Sequence, residues 1–241
     1  MFQTDPFTLI LVLVGLSLLP LVAMVATSYL KIVVVISLIR NALGIQSIPP
    51  NMVVNALAVI LTFYIMAPVA SESWGIIAET QKARNATTAA AAPATAGHGQ
   101  AGAEPSAPAQ LDLSTLDIEK AAEPFRVFLS QHTAPRERAF FINTAEMLWG
   151  KEGEPAVVDP ESFAILLPAF CVSELTKAFQ IGFLVYLPFI AIDIIVSNIL
   201  LAMGMMMVSP VTISLPFKLL LFVMVNGWTL LIQGLVKGYM I

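Results

Sequence analysis

Long stretches of this chain carry no charge: Asp, Glu, Lys and Arg are absent from residues 6–30, 41–71, 194–217 and 219–236, and 178–192 is a fifth uncharged stretch. Runs of 18 or more predominantly apolar residues are long enough to cross a bilayer as helices. The pattern predicts four long hydrophobic helices in two pairs. The first runs from about Phe7 into Leu38, interrupted by Pro20, with Lys31 and Arg40 at its far end. Asn41 to Pro50 reads as a turn, with Gly44 closing one helix and Pro49-Pro50-Asn51 starting the next. The second helix runs from about Met52 to Ala67 and ends near Pro68. Glu161–Met203 is the third element and Val208–Ile241 the fourth. Within these two, Pro168, Pro188, Pro210 and Pro216 threaten regular helix, because proline removes a backbone donor and crowds the preceding turn. Broken backbone at membrane depth persists only where protein or a water-filled cavity satisfies it. The C-terminal half is therefore expected to be surrounded by partners rather than by lipid all round.

The polar residues are concentrated between these pairs. From Glu72 to Glu161 there are 13 acidic and 7 basic residues, a local net charge of −6, so the net −4 of the whole 241-residue chain belongs to this insert. Asn85 to Gln110 is rich in Ala, Thr, Gly and Pro with Glu104 as its sole charge, and reads as a flexible linker. Beyond it, Leu116–Ser130 places Ala121, Phe125, Phe128 and Leu129 on one helical face, with Pro124 complicating a single helix. Pro135 looks like the first-turn proline of a helix carrying Phe141, Ala145 and Leu148. The fold class expected is all-α and membrane-associated: hydrophobic helical hairpins with kinked helices at 1–70 and 161–241, and a small helical insert at 71–160.

Composition agrees, at 58% hydrophobic and 12% charged. Lys31 and Arg40 flank the first interhelical loop with no acid nearby, which places that loop in the cytoplasm, the N-terminus outside and the polar insert in the periplasm. A secretory signal needs an early positive region and a short apolar core. Here the first charge is Asp5, the first base is Lys31 and the apolar run is long, so an uncleaved membrane segment is expected. No basic patch exists to bind nucleic acid. Cys171, the only cysteine, sits between Phe170 and Val172 and reads as a small buried hydrophobe. His98 and His132 have no partner at ligand spacing, so neither a metal site nor a cofactor is expected.

Two features carry candidate chemistry. The first is Met203-Gly204-Met205-Met206-Met207, four thioethers that can do no acid, base or nucleophilic work. They form a soft, polarizable surface that repacks around irregular shapes, beside Ser209-Pro210 and Ser214-Leu215-Pro216, where the backbone cannot be one smooth helix. That combination suggests a seal or an adaptable contact. The second is the set of charges inside or beside apolar segments: Lys31, Arg40, Glu174, Lys177, Asp193 and Lys218. Each costs at least about 2.5 kcal/mol at bilayer depth and needs protein, water or an opposite charge. Glu174 and Lys177 share a helical face. These groups are read either as satisfied ion pairs between helices or subunits, or as a proton or ion pathway in which Asp193 or Glu174 titrates.

The ordered run Thr27-Ser-Tyr-Leu-Lys-Ile-Val-Val-Val-Ile-Ser-Leu-Ile-Arg-Asn-Ala-Leu-Gly44, followed by Pro49-Pro50-Asn51, resembles the first signature of the type III secretion export-apparatus R/P family. That family comprises the flagellar protein FliP and its injectisome counterpart SctR. Leu167-Pro-Ala-Phe-Cys-Val-Ser-Glu-Leu-Thr-Lys-Ala-Phe-Gln-Ile-Gly182 is similar to the second signature, continuing through Tyr186–Asp193, Met203–Pro210, Ile213–Phe222 and Gly227-Trp228. The resemblance covers roughly residues 20–70 and 163–235. It implies an all-α subunit that assembles as a homo-oligomer, a pentamer in the family, into a helical ring with S/Q-type and T/R-type small membrane proteins. The export-apparatus switch protein, the large export gate protein and unfolded secreted substrates would be further partners. It also implies a pore gasket at Met203, Met205, Met206 and Met207, with Gly204, Pro210 and Pro216 shaping the loop and its kink. The lack of a signal peptide favours the injectisome branch, and nothing functional transfers to 85–110.

These readings make the chain a non-enzymatic export-pore subunit in the inner membrane. An ion-coupled transporter using Asp193 or Glu174, and a scaffold that only nucleates the apparatus, are the competing classes.

Overall fold

A computed structural model describes residues 6–45, 48–90, 118–150, 157–205 and 207–240, and among them every regular element is a helix. In chain order these are α1 (Pro6–Val25), α2 (Tyr29–Ala42), α3 (Asn51–Ala90), α4 (Ile118–His132), α5 (Pro135–Trp149), α6 (Phe163–Ala202), α7 (Pro210–Met224) and α8 (Gly227–Lys237). The chain forms two compact units, one of residues 1–66 with 129–241 and one of residues 67–128.

The larger unit is built around α2. Its run Ile32-Val-Val-Val-Ile36 is β-branched throughout and has a weak intrinsic preference for helix. Burial overrides that preference. Ile32, Val35, Ile36, Ile39 and Ala42, at helical spacing, are at most 1% exposed and pack with Val54 and Ala58 of α3, Ala178 and Phe189 of α6, Phe222 of α7 and Leu235 of α8. Lys31 lies opposite Glu174 and Leu38 opposite Gly182, so α2 and α6 run parallel. A Cβ on Gly182 would collide with the Leu38 side chain, which is why this crossing needs a glycine. α6 also packs against α5 and, across a short turn, against the antiparallel α7.

In the smaller unit Arg126 pairs with Glu123 at 3.1 Å and reaches Glu119 at 3.9 Å. The rings of Phe125 and Phe128 stack with centroids 6.4 Å apart. Of the two amphipathic faces expected in the insert, Phe128, Leu129 and Ala145 are buried, whereas Leu148 is 73% exposed.

Several prolines do not act as expected. The second hydrophobic helix does not end near Pro68, and α3 continues through it to Ala90. Residues 85–90 of the expected linker are therefore helical, while 91–110, including His98, lie outside the described residues. Pro20, Pro168, Pro188 and Pro216 likewise sit inside helices. A single proline forfeits one backbone bond, whereas ending a helix in an apolar setting leaves several groups unsatisfied. The sharp breaks fall elsewhere. One separates α1 from α2 at Ala26–Ser28, and the other bends α7 against α8 by 59° at Asn226, which is left-handed at φ 51°.

Candidate functional site

The α6–α7 turn is shaped by Gly204. At φ +75° it takes the left-handed conformation that side chains disfavour, and its N–H bonds Leu201 O at 3.0 Å while that of Met205 bonds Leu200 O at 3.0 Å. This paired closure ends α6 and points the chain outward. The extended Ser209 and first-turn Pro210 then start α7. Between them Met203 is 58%, Met205 48% and Met207 101% exposed. Met206 lies outside the described residues. The turn thus projects at least three unbranched thioether side chains from the tip of the α6–α7 hairpin, and the described residues leave them half to fully exposed.

Within the body, the charges converge into two clusters. In the first, the fully buried Glu174 carboxylate lies 3.1 Å from both Lys31 Nζ and Lys177 Nζ. Tyr239, just beyond α8, donates its hydroxyl to Glu174 Oε2. The Lys31 ammonium sits 3.4 Å from the centroid of the Tyr239 ring, a cation–π arrangement. Lys177 also donates to the His132 carbonyl at 2.6 Å, and the His132 and Tyr239 rings pack 5.1 Å apart. Burial, and then the Glu174 carboxylate, push the Tyr239 phenol well above its ordinary pKa, so it stays a donor.

In the second cluster Lys218, 3% exposed, donates to Asp193 Oδ2 at 2.6 Å and to the carbonyl of Ala42, the last residue of α2, at 3.3 Å. The Ser214 hydroxyl donates to the other Asp193 oxygen at 2.5 Å. Lys218 therefore joins the negative end of α2 to the α6–α7 hairpin. Arg40 pairs with no carboxylate among the described residues; it donates to the Pro49 carbonyl at 3.1 Å and to Asn51 Oδ1 at 2.5 Å, fastening the turn before α3. Glu174 and Asp193 thus each meet a cation of their own chain, and the two clusters tie helices together.

Sequence reasoning missed Tyr239, Ser214 and the His132 carbonyl. Ser214 was within reach, since it precedes Lys218 by four residues and shares its helical face. Tyr239 lies 65 residues from Glu174 and had no such signal.

Two long apolar helices, Asn51–Lys82 and Phe163–Ala202, are able to span a membrane, and α1–α2 and α7–α8 form two bent pairs of the same character. Only 17% of the most apolar window in either long helix is buried by the chain itself, which leaves most of it for lipid or other proteins.

A protein-family model described as the FliP family matches residues 12–235. The chain is 48% identical over 240 residues to the Yop proteins translocation protein R of Yersinia pestis, covering 98% of this chain and 97% of that one. It is 44% identical to the hypersensitivity response secretion protein HrcR of Ralstonia nicotianae, covering 96% of each. With the virulence protein YscR of Salmonella typhimurium the identity is 43%, over 98% of this chain and 97% of its relative.

Proposed function

The chain belongs to the FliP family, and from that premise we propose that it is a pore-forming core subunit of the type III secretion export gate. It is a membrane protein and a component of the export apparatus. In this reading it conducts unfolded secretion substrates across the bacterial inner membrane, with the polar residues 71–160 on the periplasmic side. It has no catalytic step of its own. Copies of the chain, five by the family pattern, assemble with S/Q-type and T/R-type membrane proteins, beside the switch protein and the large export gate protein.

The observation that carries the reading is the α6–α7 turn. Exposed Met203, Met205 and Met207 on a glycine-shaped tip supply a soft apolar surface that closes against its counterparts and then accommodates varied side chains. Met206 completes the run in sequence. The ion-paired state of Glu174 and Asp193 supports a structural use of those charges rather than a free titrating relay.

The test is replacement of Met203, Met205 and Met207 together by alanine in cells carrying the whole apparatus. Inner-membrane permeability to ions and small molecules is expected to rise while the complex still assembles. Unchanged permeability in a normally assembled complex overturns the gasket role.

A further inference from the structure

Helices α7 and α8 together are long and apolar enough to pass as one membrane span, yet they are folded against each other by 59°. Nothing in the local sequence forces that bend. No proline lies at the break, since Pro210 opens α7 and Pro216 lies within it. The break rests on Asn226 alone, at φ 51°, and asparagine visits the left-handed region but does not require it. The fold must therefore be held by contacts that α8 makes after it turns.

Besides the mid-helix packing of Leu231 on the core, those contacts gather at its two ends. At the near end the Trp228 ring meets Phe222 edge-on with centroids 5.5 Å apart, and Gly227 admits the Phe222 ring where any side chain would collide. At the far end Leu235 is 2% exposed, and Tyr239 reaches Glu174 and covers Lys31. Between them, α6, α7 and α8 border a half-open apolar pocket of about 560 Å³, lined among others by Val185, Phe189, Leu231 and Leu235. Midway along α8 Leu231 packs on the hydrophobic core beside this pocket, and the polar and aromatic contacts that complete the helix's return to α6 lie at the far end.

We infer that Tyr239 is a latch: its contacts with Glu174 and Lys31 hold α8 folded back at Asn226, and their release lets α8 straighten onto the axis of α7. The Glu174 site is built so that the latch can open. When Tyr239 leaves, the carboxylate keeps Lys31 and Lys177 at 3.1 Å, so no buried charge is orphaned. What is lost includes one charge-assisted hydrogen bond, one cation–π contact and the packing against His132. The same segment therefore has two available forms, a straight apolar rod and a folded pair. The inference does not depend on the methionine turn sealing a pore.

Spin labels on exposed Gln180 of α6 and Gln233 of α8, placed as cysteines in a Cys171→Ala background of the full chain in detergent, read the state directly. The unaltered latch is expected to give one narrow distance. Tyr239→Phe, which keeps the ring and loses the hydroxyl, is expected to add a longer component. Tyr239→Ala is expected to make that component dominant, shifted by on the order of 10 Å, because Gln233 lies about 10 Å along α8 at 1.5 Å per residue. A second pair at Asn41 and Val172 reports the α2–α6 contact and is expected to stay put. An unchanged 180–233 distance in Tyr239→Ala overturns the latch. So does movement of both pairs, because Tyr239 would then belong to the general core rather than to a local device.

Discussion

At Glu174 a fully buried carboxylate accepts from Lys31, Lys177 and Tyr239, so its removal strands the buried Lys31 ammonium. Breaking a buried pair by deleting one partner costs about 3–5 kcal/mol, most of it the penalty of the charge left behind. Glu174→Ala is accordingly expected to lower the yield of folded protein and its unfolding temperature in detergent. Lys31→Met with Glu174→Gln, which removes two opposite charges together, is expected to recover a substantial part of that loss. Equal losses in the single and double variants would mean that charge pairing is not the source. The i, i+3 spacing of Glu174 and Lys177 is visible in the sequence. Lys31 lies 143 residues from Glu174, and only packing of α2 on α6 brings them together.

Among the helices, the α2–α6 crossing depends on absence of a side chain at Gly182, because Leu38 fills the space a Cβ would take. Overpacking of this kind costs about 1–3 kcal/mol. Gly182→Val is expected to destabilise the folded chain by that order, read as the shift in its unfolding transition. Leu38→Ala in the same chain is expected to restore part of it, and no restoration would place the strain elsewhere. Helix position followed from uncharged length, and the Gly44 closure followed from glycine beyond an apolar run. Proline was the misleading sign. α3 runs through Pro68, whereas Asn226 and Ala26–Ser28 carry the breaks. A lost backbone bond at one residue is a small local term, and in apolar surroundings the remaining bonds of the helix outweigh it.

For the molecule as a whole, the lone chain leaves large side chains uncovered along α6 and α7, among them Phe179, Phe183, Leu187, Ile194, Phe217, Leu220 and Val223. Soluble monomers rarely expose contiguous apolar surface beyond a few hundred Å², so these faces require lipid, copies of the chain or other apparatus proteins. Native mass spectrometry of the detergent-extracted protein is expected to find more than one copy per particle. A single-copy species that stays monodisperse without detergent would contradict the proposed assembly.

The order of the apolar elements, the polar stretch between them and the methionine turn were all legible in the linear pattern, because solvent preference and backbone allowance are properties of each residue and its near neighbours. The family signatures were legible for the same reason. That Lys31 also serves Glu174 and Lys218 serves Asp193, that Tyr239 closes over the first of these sites, and that α8 folds back at Asn226 were decided only in three dimensions. Those choices join residues tens to more than a hundred positions apart. They depend on which helix faces meet, and no local periodicity carries that information.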